Sequence, residues 1–137
     1  MRFNLAMARE TEDRMLDPER LREGVGRALG DPRRGSYRVA ELGGEPVGAL
    51  LVTREWSDWR DAWFWWIQSV YVRPEYRGRG VFRALYDHIA TEARSHKDVI
   101  GIRLYVDRGN TGAKRAYERL GMHPTDYDLY EIDWRDS

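Results

Sequence analysis

The stretch Arg77-Gly78-Arg79-Gly80 is where residue type and spacing in this sequence best suit chemistry. It joins an apolar run, Trp63 to Val72, to a helical pattern that begins at Val81. A helix start leaves its first N–H groups without acceptors, and the helix dipole adds partial positive charge there. Glycines at 78 and 80 let a ligand come close to the backbone. Arg77, Arg79 and Arg83 supply further positive charge. Together these are the makeup of a phosphate cradle. The plainer reading of the same residues is a tight strand-to-helix turn with solvated arginines. The dinucleotide fingerprint GxGxxG is absent, and no Gly-Lys-Ser/Thr follows, so neither standard nucleotide loop is present.

Other chemistries find little support. There are no cysteines, which removes disulfides, thiolate metal sites and an acyl-cysteine intermediate. His88, His96 and His123 lack metal-ligand spacing, and no HExxH occurs, so no metal site is expected. Asp87, His88 and Glu92 share a helical stretch and read as surface. No GxSxG elbow or Ser-His-Asp arrangement can be argued.

The elements that must position the loop follow from periodicity and punctuation. Phe3 to about Met15 reads as a helix. Asp17-Pro18 starts a second, with Leu21, Val25, Ala28 and Leu29 on one face and Gly30 ending it. A hairpin comes next: Tyr37 to Leu42, a Gly43-Gly44 turn, and Pro46 to Arg54. Glu55 to Ala62 (EWSDWRDA) reads as a loop. Trp63 to Val72 is apolar on both faces, as in a central strand covered on both sides. After the glycine loop, Val81 to about Ser95 carries a stripe of Phe82, Leu85, Tyr86, Ile89 and Ala93. Val99 to Val106 is another strand. Asn110 caps a helix containing Ala113, Ala116, Tyr117 and Leu120, ended by Gly121. Tyr127 to Trp134 reads as a last strand. The order ααβββαβαβ predicts an α/β (α+β) fold, a mixed sheet with helices packed on it.

Composition bounds the answer. The 137 residues amount to one domain, residues 1–137. They are 42% hydrophobic and 34% charged, which indicates a soluble globular chain. Basic and acidic residues number 23 each, so a polycation that grips nucleic acid by charge alone is disfavoured. The basic residues are almost all Arg, which suits phosphate forks but equally a GC-rich genome. The charged N-terminal stretch is no signal peptide, no window suits a membrane span, and the lack of cysteine fits a cytoplasmic location.

Two stretches carry a family resemblance. Val70 to Leu85 (VYVRPEYRGRGVFRAL) resembles motif A of the GNAT superfamily of N-acetyltransferases, usually Q/R-x-x-G-x-G/A, mapping to Arg77, Gly80 and Phe82. Asn110 to Met122 (NTGAKRAYERLGM) looks like motif B, often N-x-x-A-x-x-x-Y-x-x-x-G-F. The likeness covers about Tyr37 to Trp134 and implies a GNAT-like, mostly antiparallel mixed sheet that binds acetyl-CoA. It implies that the N–H groups of Arg77, Gly78, Arg79, Gly80, Val81, Phe82 and Arg83 hold the pyrophosphate. Val70 and Val72 would pair with the pantetheine arm, and Asn110 and Ala113 would line the other wall. The chain departs from the pattern in three places. Phe82 stands where Gly or Ala is usual and is in phase with the core stripe, Met122 replaces the common Phe, and the family's first strand is lacking. The hairpin strand Tyr37 to Leu42 would then have a bare edge, unless a partner chain or the N-terminal residues cover it.

The implied chemistry is direct acetyl transfer to a primary amine of a small molecule or protein. It requires an amine that loses a proton, a stabilised carbonyl oxygen and a protonated leaving thiolate. The resemblance puts Tyr117 at the general acid position. A phenol titrating near ~10 holds its proton at neutral pH, although Tyr117 also fits a helix core face. Glu55, with Asp58 nearby, is the candidate general base, acting through a water. Trp56, Trp59, Trp63 and Trp65 wall an acceptor pocket or belong to the core. Arg60 would pair with an acidic acceptor group, or with Asp58 or Asp61. Two further readings stand beside this one: a catalytically impaired acyl-CoA-binding or interaction module, and a nucleic-acid binder using arginines and aromatics. Relatives of the fold are often dimers, so a homodimer stands beside a monomer as the oligomeric state.

Overall fold

The computed structural model describes residues 33–135. The two helices expected before Gly30, and the question of a strand ahead of them, lie outside those residues. The described residues divide into two compact units, one ending at Tyr105 and the other beginning at Val106.

The first unit is a four-stranded sheet in the order β1-β2-β3-β4. β1 (Ser36–Leu42) and β2 (Glu45–Ser57) form the expected hairpin. Gly43 and Gly44 both take positive φ, 59° and 82°. A two-residue turn of that hand matches the twist of its strands and needs residues without a Cβ. β3 (Ala62–Val72) pairs antiparallel with β2 and parallel with β4 (Val99–Leu104). A parallel neighbour requires a crossover. Helix α1 (Val81–Arg94), entered through a 3₁₀ turn at Pro74–Tyr76, supplies it. The central position of β3 is as its apolar run implied, with Trp65, Ile67 and Tyr71 buried.

The expected loop from Glu55 to Ala62 is a correction. Glu55, Trp56 and Ser57 continue β2, Ala62 opens β3, and only the intervening four residues turn. Trp56 pairs with Trp63 and Glu55 with Phe64 across the ladder. Cross-strand aromatic pairs favour a strand strongly enough to override the polar composition of this stretch.

The core lies between sheet and helix. Val47, Leu50 and Val52 of β2 and Trp65 and Ile67 of β3 meet Val81, Leu85, Ile89 and Ala93 of α1. The 3.6-residue spacing of the α1 stripe puts these four on one face. Gly48 brings the two layers close: a Cβ there would sit 2.9 Å from Val81 Cγ1 and 3.2 Å from the Tyr71 carbonyl oxygen. Arg38 of β1 reaches Glu92 of α1 at 2.8 and 3.0 Å and ties the edge strand to the helix.

The second unit holds α2 (Thr111–Arg119). As expected, the Asn110 side chain caps it, accepting from Ala113 N at 3.1 Å, and Gly121 closes it at φ 94°. The strand expected at Tyr127 to Trp134 does not form. Those residues pair with no strand among the described residues, and their large apolar side chains are exposed. Strand-like composition cannot make a strand without a neighbour to receive its N–H and C=O groups.

Candidate functional site

The glycine loop has the backbone that a cradle needs. Gly78 and Gly80 take φ values of 76° and 80°, the left-handed region that favours glycine. A Cβ at either would meet no heavy atom within 4 Å, so the space over both is open. Gly80 is the N-cap of α1 and offers no side-chain cap. The first intrahelical bond runs from Ala84 N to Gly80 O. The N–H groups of Val81, Phe82 and Arg83 precede it, at the positive end of the helix.

The three arginines are already engaged with the fold. Arg77 Nε donates to the Val72 carbonyl at 2.9 Å, and its guanidinium lies 5.3 Å from the Tyr71 ring centre. Arg79 stacks on Tyr76 at 5.5 Å. Arg83 donates to Asp87 one helical turn on, at 3.2 Å. Phe82, where the motif has a small residue, packs against the core and beside Tyr86. Its bulk therefore turns inward, as its place in the stripe implied.

Next to the loop, β3 parts from β4. The parallel ladder ends at Ile67 opposite Leu104. Just beyond, the β2–β3 register jumps: Leu51 pairs with Gln68 but Ala49 with Tyr71, and Ser69 takes φ 54°. This is a β-bulge, which bends its strand and ends regular pairing. Arg73 N donates to Val47 O at 2.8 Å. Alternation along β3 then turns the peptide groups of Tyr71 and Arg73 toward β2, and those of Val70 and Val72 away from it. Val70 and Val72 thus present strand backbone beyond the end of the β4 ladder, beside the glycine loop. The sequence signal for this opening was slight. A polar Gln68-Ser69 inside an apolar run was the only mark of the bulge.

Glu55 is held in place. Its Oε1 accepts from Trp66 Nε1 at 3.0 Å and from Arg103 at 2.8 Å. The Arg103 guanidinium in turn lies 3.6 Å from the centre of the Phe64 ring. Gln68 donates to Thr53 Oγ1 at 2.7 Å on the same face. β2, β3 and β4 therefore build one polar and aromatic face from Thr53, Glu55, Phe64, Trp66, Gln68 and Arg103. Trp66 and Arg103 were missed from the sequence. Two-residue alternation from Glu55 across the hairpin would have pointed to Trp66, but Arg103 needed the parallel register.

The tryptophans fall elsewhere. Trp56 and Trp63 meet edge to face at 5.1 Å, with Arg54 5.7 Å from the Trp63 ring centre. Being adjacent to Glu55 in an extended strand, Trp56 points to the opposite face. Trp65 is core, beside His96. Trp59 is 88% exposed on the turn, where its N–H donates to Asp58. Arg60 lies 5.4 Å from the Phe64 ring centre. Glu55 and the expected pocket walls are thus not gathered on one face.

In the second unit, Asn110 Oδ1 is occupied by the cap on α2, and Ala113 lies one turn into that helix. Tyr117 is half-buried on α2, and burial raises its phenol above the ordinary tyrosine value. Such a phenol holds its proton throughout the neutral range. Among the described residues no group of His, Asp or Glu could hold a metal ion, and no helix is long and apolar enough to cross a membrane.

Comparisons with known proteins show the family and the fold. The family model of the acetyltransferase (GNAT) family matches residues 4–122. An uncharacterised N-acetyltransferase of Methanocaldococcus jannaschii is 33% identical over 87 residues, 63% of this chain but 38% of that relative's length. A crystal structure of a possible acetyltransferase from Clostridium difficile 630 superposes with a TM-score of 0.89 at 42% identity, covering 96% of this chain and 87% of that one. A ribosomal-protein-alanine N-acetyltransferase from Brucella melitensis shares the fold with a TM-score of 0.73 at 21% identity, over 95% of this chain and 86% of that one. A glycine-rich helix start beside a bulged central strand and a model match over most of the sequence lead to one conclusion: the chain belongs to the acetyltransferase (GNAT) family.

Proposed function

We propose that this chain is an acetyl-CoA-dependent N-acetyltransferase that moves an acetyl group directly to a primary amine of a small molecule or protein. The observation that carries this is the bulged end of β3, where open strand backbone meets a helix N-terminus with clear space over Gly78 and Gly80. The N–H groups from Arg77 to Arg83 would hold the pyrophosphate, and Val70 and Val72 would pair with the amide-bearing arm. Acetyl-CoA supplies the acetyl group as an activated thioester. Tyr117, kept protonated by its burial, would donate to the departing thiolate. Glu55 would take the amine proton through a water, and Trp66 and Arg103 fix its carboxylate. Asn110 and Ala113 would border the cofactor, while Trp56 and Trp63, on the face opposite Glu55, and Asp58 and Trp59, on the turn, drop out as walls of an acceptor site served by Glu55. A cytoplasmic enzyme that assembles as a homodimer completes the reading.

The separation of Glu55 from the expected acceptor walls favours a second reading, an acyl-CoA-binding or interaction module with impaired turnover. One experiment separates the two. Calorimetry with acetyl-CoA is followed by an amine screen with a thiol reagent, to which the chain itself adds no thiol because it has no cysteine. Binding with amine-dependent thiol release supports the enzyme. Binding without release across the screen supports the module. No binding at millimolar acetyl-CoA removes both.

A further inference from the structure

The ion pair between Glu55 and Arg103 uses only one edge of each group. Glu55 Oε1 takes both hydrogen bonds, from Trp66 Nε1 at 3.0 Å and from Arg103 Nη1 at 2.8 Å. A carboxylate has room for about four donors on its two oxygens, and Oε2 receives none among the described residues. Arg103 is used in the same partial way. Its guanidinium lies 3.6 Å from the centre of the Phe64 ring, and Nε and Nη2 donate to nothing among the described residues. Those two nitrogens form the planar fork that binds a carboxylate by two parallel bonds. The stack beneath the fork is built into the sheet. A Cβ at Gly101 would lie 2.8 Å from Phe64 Cε1, so a glycine on β4 lets the ring settle there. Buried polar groups normally find partners, yet the Arg103 side chain is only 21% exposed with its fork uncommitted. The Glu55 side chain is 43% exposed, so a solute reaches the pair.

We propose, resting on the enzyme reading above, that the acceptor is a free α-amino acid. Its amine meets Glu55 Oε2, and its carboxylate meets the Nε–Nη2 fork of Arg103. Contact between the two side chains decides the class. Because Glu55 and Arg103 touch at 2.8 Å, their free edges are neighbours. A solute that meets both must carry its amine and carboxylate side by side, as on one α-carbon. An ω-amino acid holds the two groups apart, and the amino terminus of a protein has no carboxylate beside it. Charge agrees. A simple ammonium is drawn to Glu55 but repelled by Arg103, whereas a zwitterion is complemented at both ends. Arg60, the residue expected to meet an acidic acceptor, donates instead to Ser57 Oγ at 3.3 Å. Rings flank the pair: Phe64 lies against Arg103, and Trp66 meets Tyr105 at 4.6 Å. They offer apolar surface to an amino-acid side chain. The transfer is otherwise as proposed above. The nitrogen bonds to the acetyl carbon and the carbon–sulfur bond breaks. The surplus protons of the ammonium leave through Glu55 and water, and the thiolate takes one up.

The test compares leucine, leucinamide and the ω-amino isomer of leucine. Each is an acceptor with acetyl-CoA in the thiol-release assay, and a solute in calorimetry with coenzyme A present. Leucinamide keeps the amine and loses the carboxylate. Leucine should exceed both others in kcat/KM and in affinity by roughly 10–150-fold, the range for a hydrogen bond to a charged group. Arg103→Gln should erase that preference. The change also loosens Glu55, but this weakens leucine and leucinamide alike and cancels in their ratio. Arg103→Lys keeps the charge without the fork and should restore the preference only in part. A wild type that acetylates amines with no preference for leucine overturns the α-amino acid and leaves the enzyme reading standing. An Arg103→Gln protein with native circular dichroism and an undiminished preference overturns it too. Leucine binding that Arg103→Gln abolishes, with no thiol release from any amine, supports the site and sinks the enzyme reading instead. Neither binding nor release overturns both.

Discussion

Replacing Gly80 with Glu tests the cradle at its centre. Gly80 caps α1 at φ 80°, and a Cβ there meets no heavy atom within 4 Å. The cost to folding is therefore conformational alone. Holding a non-glycine residue in the left-handed region costs about 1–2 kcal/mol. For a chain of this size that lowers Tm by roughly 3–10 °C, which a domain with the usual ~5–15 kcal/mol survives. The cost to binding is electrostatic. A carboxylate projecting from Gly80 into the open space would stand on the order of 5 Å from a diphosphate held by the N–H groups of Val81 to Arg83. One pair of unit charges at that distance repels by about 1–3 kcal/mol for effective dielectrics of 80 to 20. Affinity for coenzyme A should then fall by roughly five- to two-hundred-fold. Gly80→Asn is the control, since Asn tolerates the left-handed region and brings no charge. Calorimetry of the three proteins against coenzyme A at low and high salt reads the effect, and the loss in the Glu variant should shrink as salt screens it. Equal affinity of the wild type and Gly80→Glu would refute the cradle. Equal weakening by Asn and Glu would show that the loop matters through its shape and not its charge.

Three further variants have expected outcomes. Glu55→Gln keeps the side-chain shape and loses one partly exposed ion pair with Arg103, so stability should change by about 1 kcal/mol or less. Turnover should fall by about 10²–10⁴ if Glu55 accepts the amine proton, and unchanged turnover would dismiss it as the base. Tyr117→Phe should lower kcat while leaving affinity for coenzyme A intact; an unchanged rate assigns the proton to another donor. Burial raises the Tyr117 and Tyr37 phenols, so the folded state keeps those protons better than the unfolded one. Their contribution is whole below the unfolded value near ~10 and fades as pH climbs through the higher folded values. Urea titrations should show a smaller alkaline loss in Tyr117→Phe than in the wild type. Gly48→Val should destabilise by about 1–3 kcal/mol, because its side chain would collide with Val81 and the Tyr71 carbonyl. A variant as stable as the wild type would mean that α1 moves freely off the sheet.

Much was legible because it rests on local physics. The Gly43-Gly44 turn, the Asn110 cap, the apolar stripe of α1 and the glycine helix start each depend on the conformation of a few neighbouring residues. Those constraints are written in consecutive positions. The motif pair added the family because a cradle made of main-chain groups needs small residues at fixed steps.

What stayed hidden depends on partners far along the chain. Glu55 to Ala62 is polar enough to read as loop, and only the pairing of Trp56 with Trp63 shows its two ends to be strand around a four-residue turn. The bulge at Ser69 and the end of the β4 ladder at Leu104 come from register, which single-strand patterns do not encode. Trp66 and Arg103 reach Glu55 across two ladders, from positions 11 and 48 residues away. Tyr127 to Trp134 shows the converse: its residues favour a strand, yet without a hydrogen-bonding neighbour among the described residues none forms. The sequence alone thus determined the local shapes and the chemistry of the glycine loop. The tertiary structure decided which faces, edges and carboxylates those shapes bring together, because backbone pairing is completed only by strands that meet in space.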